Sequence, residues 1–264
     1  PDQRRVCPQA HLKRHLRFHL MSSLSPIMAA SRRRFGSEAY RSAVLADSPA
    51  AYWRLGESSG TTAVDQVGVY NGTYINSPTL GVDGIFAGNT AAGFNGTTQN
   101  VNCGTMAAFL NGRTVGLAIE AWIRTTAGGF IAGKWGPNST QQRIYFIRDG
   151  NGSVSFGIYG GSGGSGGYRV GITPAGAAPN GVWTHVVGVW VSTTSMAIYI
   201  NGVSQAITYF LTGTTTSSLA ASTNDFRISS ESAGNFFNGS IDEVAIYSSL
   251  SPARILAHYN AAGY

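Results

Sequence analysis

From Tyr52 onward, hydrophobic and polar positions alternate with a period of two along most of the chain, the pattern of β-strands with one buried face. In 183–191, Trp183, His185, Val187, Val189 and Val191 share one face, and Val186 and Trp190 the other. Both faces are largely apolar, which predicts a central strand covered on two sides. Gly150-Asn151-Gly152 separates the strand segments 143–149 and 153–159, and Asn201-Gly202 separates 196–200 from 203–207. Asn-Gly accepts the left-handed backbone of a tight hairpin, so both breaks predict hairpins. Helical spacing is confined to the ends of this region. Residues 38–46 predict one or two turns with Tyr40, Val44 and Leu45 inward. Near the end, Ser251-Pro252 gives an N-cap followed by proline at the first helical position. Ile255, Leu256 and Tyr259 then make an apolar face, and Gly263 can stop the helix. The Gly/Ser run 160–167 has β pattern on both sides, so it reads as a long rim loop, with 212–218 a second polar loop.

The closing stretch is the most specific part of the chain. Phe237, Gly239, Ile241, Asp242, Glu243, Val244, Ile246, Tyr247, Leu250 and Ser251 follow the pattern F-x-G-x-I-D-E-V-x-I-Y, then L-S, ahead of the last helix. Upstream, in order, stand Val44-Leu45-Ala46-Asp47-Ser48-Pro49, Ala51-Tyr52-Trp53-Arg54-Leu55-Gly56-Glu57, Ile119-Glu120-Ala121-Trp122-Ile123 and Trp183-Thr184-His185-Val186-Val187. Over roughly Tyr40 to Tyr264 these motifs resemble the laminin-G-like, or concanavalin-A-like, jelly-roll family. The fold expected is all-β: an antiparallel two-sheet β-sandwich of jelly-roll type with a short C-terminal helix over residues 37–264. An extended basic N-terminal arm, residues 1–36, precedes it. Because one fold hosts many functions, the resemblance by itself leaves function open.

Composition agrees with one large β domain: 43% of 264 residues are hydrophobic, enough for a real core, and 35 glycines suit many turns. No run is long and apolar enough to cross a membrane as a helix. The net charge of +6 is unevenly placed. Residues 1–41 carry nine basic and two acidic residues, a surplus of +7, and the remainder carries nine basic and ten acidic, a net −1. The basicity therefore belongs to the arm. Arg4, Arg5, Arg14, Arg17, Arg32, Arg33 and Arg34 suit it to anchoring on an acidic protein surface; nucleic acid is a less favoured partner, and a solvated tail is the plain alternative. The arm has no apolar stretch of the secretory kind, and Met21 and Met28 are candidate start residues. Cys7, His11, His15 and His19 recur every four residues, but interleaved Lys13, Arg14 and Arg17 oppose a zinc site, so a basic helix is the simpler reading. Two cysteines make no disulfide framework, and Cys103 reads as a small buried residue.

The family resemblance implies a structural Ca²⁺ between the opening region and the closing strand. The matching ligands are Asp65 and Asp242, with Asn71 and carbonyls of 68–72 completing an oxygen shell. The loop 66–70 lacks two of the family's side-chain oxygens, and the alternative is that Asp65 caps a turn while Asp242 binds backbone amides. Glycoside hydrolysis needs two carboxylates about 5–5.5 Å apart for retention. Asp242 and Glu243 are adjacent, so strand alternation sets them on opposite faces, and Glu120 is alone on its strand. His185 and His258 read as packing or hydrogen-bonding residues, and no nucleophile elbow is present. Among loop aromatics, Tyr70, Trp135, Tyr159, Tyr168, Tyr209 and Phe236 are candidates for stacking on sugars, Trp135 and Tyr168 foremost. The reading that results is a non-enzymatic structural or adhesion protein on a virion surface, such as a capsid decoration, head-fibre or tail protein. Its arm would hold other capsid or tail subunits and its sandwich could bind cell-surface glycans. A secreted Ca²⁺-dependent lectin module is the alternative and a glycoside hydrolase a distant third.

Overall fold

The computed structural model describes residues 36–136, 143–159, 167–212, 218–232 and 234–264. The expectations placed on the arm, from Arg4 to Arg34 and including the Cys7–His19 spacing, lie outside the described residues. Helix α1 occupies 36–46 and buries Tyr40 and Val44 completely, with Leu45 half-buried. Gly36 and Ser37 are buried.

The chain is an antiparallel two-sheet sandwich. The larger sheet holds β1 (Ala51–Trp53), β4 (Thr79–Asp83), β5 (Thr90–Asn95), β7 (Ala118–Phe130), β9 (Ile144–Arg148), β10 (Val154–Tyr159), β11 (Tyr168–Ile172), β12 (Thr184–Ser192), β13 (Ser195–Ile200), β14 (Val203–Ser204), β15 (Thr208–Leu211) and β17 (Asn238–Tyr247). The smaller holds β2 (Thr62–Ala63), β3 (Gly72–Ile75), β6 (Asn100–Asn102), β8 (Ala132–Gly133) and β16 (Arg227–Ile228). A single turn of helix, α2 (Ala107–Leu110), and α3 (Pro252–Ala261) complete the described elements.

Strand β7 organises the molecule. Its first part pairs with β12 on one edge and β17 on the other, whereas Gly129 and Phe130 pair with β9. Gly128 and Gly129, at φ of 112° and 129°, turn the strand between these pairings. The large sheet therefore folds back, and β10 lies over β12. A Cβ on Gly188 would sit 2.2 Å from the Phe156 ring, so glycine sets how closely the layers approach. Alternation along β7 sends Ile119, Ala121 and Ile123 into the main core with Val186, Trp190, Phe146, Phe156 and Ile158. It sends Ala118, Trp122 and their neighbours Val187 and Val189 to the opposite face, where α1 and α3 cover them with Tyr40, Val44 and Ile255. This is the doubly apolar β12 that the sequence predicts.

Both predicted hairpins form, joining β9 to β10 and β13 to β14; Asn201 and Gly202 have φ of 52° and 77°, as a tight hairpin turn requires. Ser251 caps α3 by accepting from the Arg254 N–H, and Gly263 follows the helix at φ 88°. One helical expectation is corrected. Leu256 is 45% exposed, and the inward face of α3 is Ile255, His258 and Ala262, three and four residues apart. Cys103 is buried among apolar residues, which pushes its thiol pKa well up.

Candidate functional site

Strand β17 departs from regular pairing at the acidic motif. Asp242 faces Trp122 and Ala245 faces Glu120, so three steps on β17 match two on β7. The extra residue is a β-bulge, with Glu243 at φ 53°. The bulge cancels the expected alternation: Asn89 Nδ2 lies 3.1 Å from Glu243 Oε1 and 3.5 Å from Asp242 Oδ2, so both carboxylates reach one side chain. Arg54 grips Glu243 through Nε and Nη2 at 3.1 and 3.0 Å, and Tyr52 donates its hydroxyl to the other oxygen. Arg54 also reaches Ser37 Oγ at 2.6 Å and Glu38 at 3.6 Å, tying α1 to the bulge. Both acids are fully buried. Burial, then the Glu243 charge, pushes the Asp242 carboxyl well above its ordinary value. Glu243 is raised by burial as well, with Arg54 and Tyr52 pulling it back.

A second buried set sits beside it. Glu120 Oε2 meets His185 Nε2 at 3.2 Å and His258 Nδ1 at 3.0 Å, and Tyr247 donates to Oε1. The other nitrogen of His258 meets Asp47 Oδ2 at 2.7 Å and the Ala43 carbonyl at 3.1 Å. Acceptors on both nitrogens favour the imidazolium, which donates twice. Burial alone would lower the pKa of His258, but Glu120 and Asp47 more than offset it and leave it raised. Burial would raise Glu120, yet His258 and His185 hold it down at about 2. Glu120, His185 and His258 are all fully buried. They bond to one another and to the helices, as the sequence reading of the two histidines expects.

The calcium candidates have separate partners. Asp65 accepts from the N–H groups of Tyr52 and Val67 on Oδ1 at 2.8 and 3.0 Å, and of Val69 and Tyr70 on Oδ2 at 2.9 and 2.8 Å. Asn71 Oδ1 accepts from the Asp65 N–H at 2.9 Å. These two residues thus close the turn 65–71, the alternative weighed from sequence. Asp242 instead accepts from the Ile85 N–H at 3.0 Å on Oδ2, and its buried Oδ1 has no partner. Of the three candidates, Asp242 thus keeps an oxygen without a hydrogen bond, whereas Asp65 and Asn71 accept from backbone amides. Among the described residues no three His, Cys, Asp or Glu side chains converge as a metal set.

The sugar-stacking candidates do come together. Trp135 packs edge-on to Tyr159 at 4.5 Å between ring centroids, and Tyr159 stacks on Tyr168 at 5.2 Å. Tyr145 extends the row, 5.2 Å from Trp135. Register explains the grouping: Tyr159 pairs with Tyr168, and Tyr145 pairs with Gly157, two residues before Tyr159. These side chains share the face of β9–β11 opposite to Ile144, Phe146, Phe156 and Ile158, which fill the core. Tyr168 is 42% exposed and the other three rings are half-buried. Tyr70, Tyr209 and Phe236 do not join the row. Tyr70 and Tyr209 pack on the core, and Tyr209 carries Arg169 on its ring at 3.7 Å. Tyr145 escaped the sequence reading, although its place between core residues Ile144 and Phe146 marks it as outward-facing.

The family described as the concanavalin A-like lectin/glucanases superfamily matches residues 95–255. The chain belongs to this superfamily. No curated protein matches it in sequence. Its sandwich is similar to parts of several solved structures. Domain 4 of an extracellular GH43 arabinanase from Geobacillus stearothermophilus, solved with arabinotriose, is 18% identical at a TM-score of 0.51, over 80% of this chain and 97% of that one. The binding domain of botulinum neurotoxin serotype D/C is 16% identical at a TM-score of 0.59, over 83% of this chain and 53% of that one. A Trypanosoma rangeli sialidase mutant displaying trans-sialidase activity is 14% identical at 0.52, over 81% and 33%. The chain thus spans about half the length of the neurotoxin domain and a third of the sialidase. At these identities the likeness is one of fold.

Proposed function

We propose that this superfamily sandwich is a non-catalytic carbohydrate-binding domain that lays a polysaccharide along Tyr145, Trp135, Tyr159 and Tyr168. The row itself carries the reading. Tyr168, 42% exposed, and the half-buried rings packed beside it offer apolar surface to the C–H face of a sugar. Complete burial of Glu120, Asp242 and Glu243 supports a non-catalytic role, since a general acid must reach its substrate. The arabinanase domain solved with arabinotriose supports the ligand class. The setting proposed is the surface of a larger assembly, a virion in the first instance, with Arg4, Arg5, Arg14, Arg17, Arg32, Arg33 and Arg34 as the anchor; that setting rests on the sequence of the arm. Calcium enters the proposal through Asp242 alone.

The test is affinity electrophoresis and calorimetry against arabinan, xylan, pectin and mucin glycans, with and without EDTA. Binding to at least one is expected, weakened about tenfold or more by Trp135→Ala or Tyr168→Ala, or roughly 1.4 kcal/mol. Both variants should remain folded at the assay temperature, checked by their thermal midpoints. Full binding by both variants, or reducing sugar released from any of these polymers, would overturn the proposal. Loss of binding in EDTA that Asp242→Asn reproduces supports the calcium role; binding indifferent to EDTA removes it.

A further inference from the structure

On β7, Glu120, Trp122 and Arg124 share the face turned toward α3, because alternate residues of a strand point the same way. Glu120 and Trp122 are covered; Arg124 is half-buried and lines a cavity of about 400 Å³. The turn between β4 and β5 forms one wall, with Asp83 and Asn89 at its ends, and Trp183 and Tyr264 form the other. None of these five residues belongs to the ring row. The volume is that of a small-molecule site.

Three features define what such a ligand must be. The Arg124 guanidinium lies over the Trp183 ring, 5.0 Å from its centroid, and touches the Asp83 carbonyl at 3.5 Å. Arg54, Arg227 and Arg254 each have a carboxylate, from Glu243, Asp225 and Asp47; Arg124 has none in ion-pair range among the described residues. A planar cation held by stacking, with one long hydrogen bond from Nη2 to a carbonyl and no carboxylate partner, can take up a carboxylate. Trp183 and Tyr264 add apolar ring surface, and Tyr264, 59% exposed, is braced against Trp122 at 5.5 Å. The carboxylate of Asp83 and the amide oxygen of Asn89 can accept from hydroxyl groups. A carboxylate, a C–H face that can lie on an aromatic ring and several hydroxyls coincide in a sugar acid.

We propose that this cavity binds one carboxylate-bearing sugar, a uronic acid residue, with its carboxylate on Arg124 and its ring against Trp183 and Tyr264. This site is independent of the ring row and would select acidic residues within or beside the polymer held there.

The test compares galacturonate with galactose, glucuronate with glucose, and acetate as a bare carboxylate, each titrated into the full chain. The readout is the indole N–H resonance of Trp183, assigned through Trp183→Phe. Saturable shifts by the uronates are expected, at least tenfold tighter than for the neutral sugars and weaker at higher salt. Arg124→Gln should abolish the preference, Arg124→Lys should retain part of it, and Trp135→Ala should leave it intact. Equal binding of acid and neutral sugar, acetate matching the uronates, a preference surviving in Arg124→Gln, or an unmoved Trp183 signal would each overturn the proposal. The lysine variant keeps the charge if glutamine impairs folding.

Discussion

Glu243 combines a left-handed φ of 53° with a fully buried carboxylate, and each feature costs stability by itself. The backbone strain is on the order of 1–3 kcal/mol, and an unpaired buried charge costs more. Arg54 and Tyr52 offset both by holding the side chain where the bulge puts it. Arg54→Ala removes the counter-charge from two acids at once, so a loss of about 3–5 kcal/mol is expected at neutral pH. The pH dependence follows from linkage. Glu243 already binds its proton more tightly folded than unfolded, and without Arg54 it does so still more, so the deficit grows as pH rises. Urea midpoints at pH 5 and pH 8 check this; a deficit independent of pH would show that the pair is not electrostatic in origin. The bulge also shows what sequence conceals at this scale. Asp65 as the cap of a glycine-containing turn was one of two readings open from sequence, because Asx turns are local. One extra residue in a ladder is set by a partner over a hundred positions away in β7, and a period-two reading has no means of seeing it.

Among elements, β7 shows how much one strand can arrange. A Cβ on Gly129 would lie 2.4 Å from the Phe236 carbonyl oxygen and 2.5 Å from Phe237 Cα, both backbone atoms that cannot swing aside. With φ at 129° as well, Gly129→Ala should destabilise by at least about 1–3 kcal/mol. It should also weaken polysaccharide binding, because β8 and β9, which carry the Trp135 end of the row, hang from this turn. Chemical denaturation with parallel binding assays measures both effects; a variant with wild-type stability would refute the account of the bend. Hairpins and the capped helix α3 were readable in advance because Asn201-Gly202 and Ser251-Pro252 act within a few residues. Trp135 and Tyr168 were recognisable one at a time as loop aromatics. Their assembly into a row passes through Tyr145 and Tyr159 and depends on cross-strand register, which single-chain spacing leaves open.

At the scale of the molecule, the Glu120–His258–Asp47 chain of contacts joins α1, β7 and α3. Glu120, held down at about 2, contributes stability that is present above the ordinary carboxylate value and lost as pH falls toward 2. His258, raised above 6.5, contributes stability that is complete below 6.5 and lost as pH rises through its folded value. The thermal midpoint should therefore fall as pH drops toward 2, and fall again on the alkaline side as His258 loses its proton, with the raised carboxyls of Asp242 and Glu243 adding to that decline from the ordinary carboxylate range upward. His258→Gln should flatten the alkaline limb; parallel profiles for variant and wild type above pH 7 would show that the imidazolium is not formed. The unit so clasped brings its own ends together, since a Cβ on Gly36 would lie 3.2 Å from the Ala262 carbonyl oxygen. A polypeptide passing through this sandwich arrives and departs at the same spot. Such a unit can be spliced into a surface loop of a host protein, or relinked end to end and opened elsewhere, without stretching the host or disturbing the ring row.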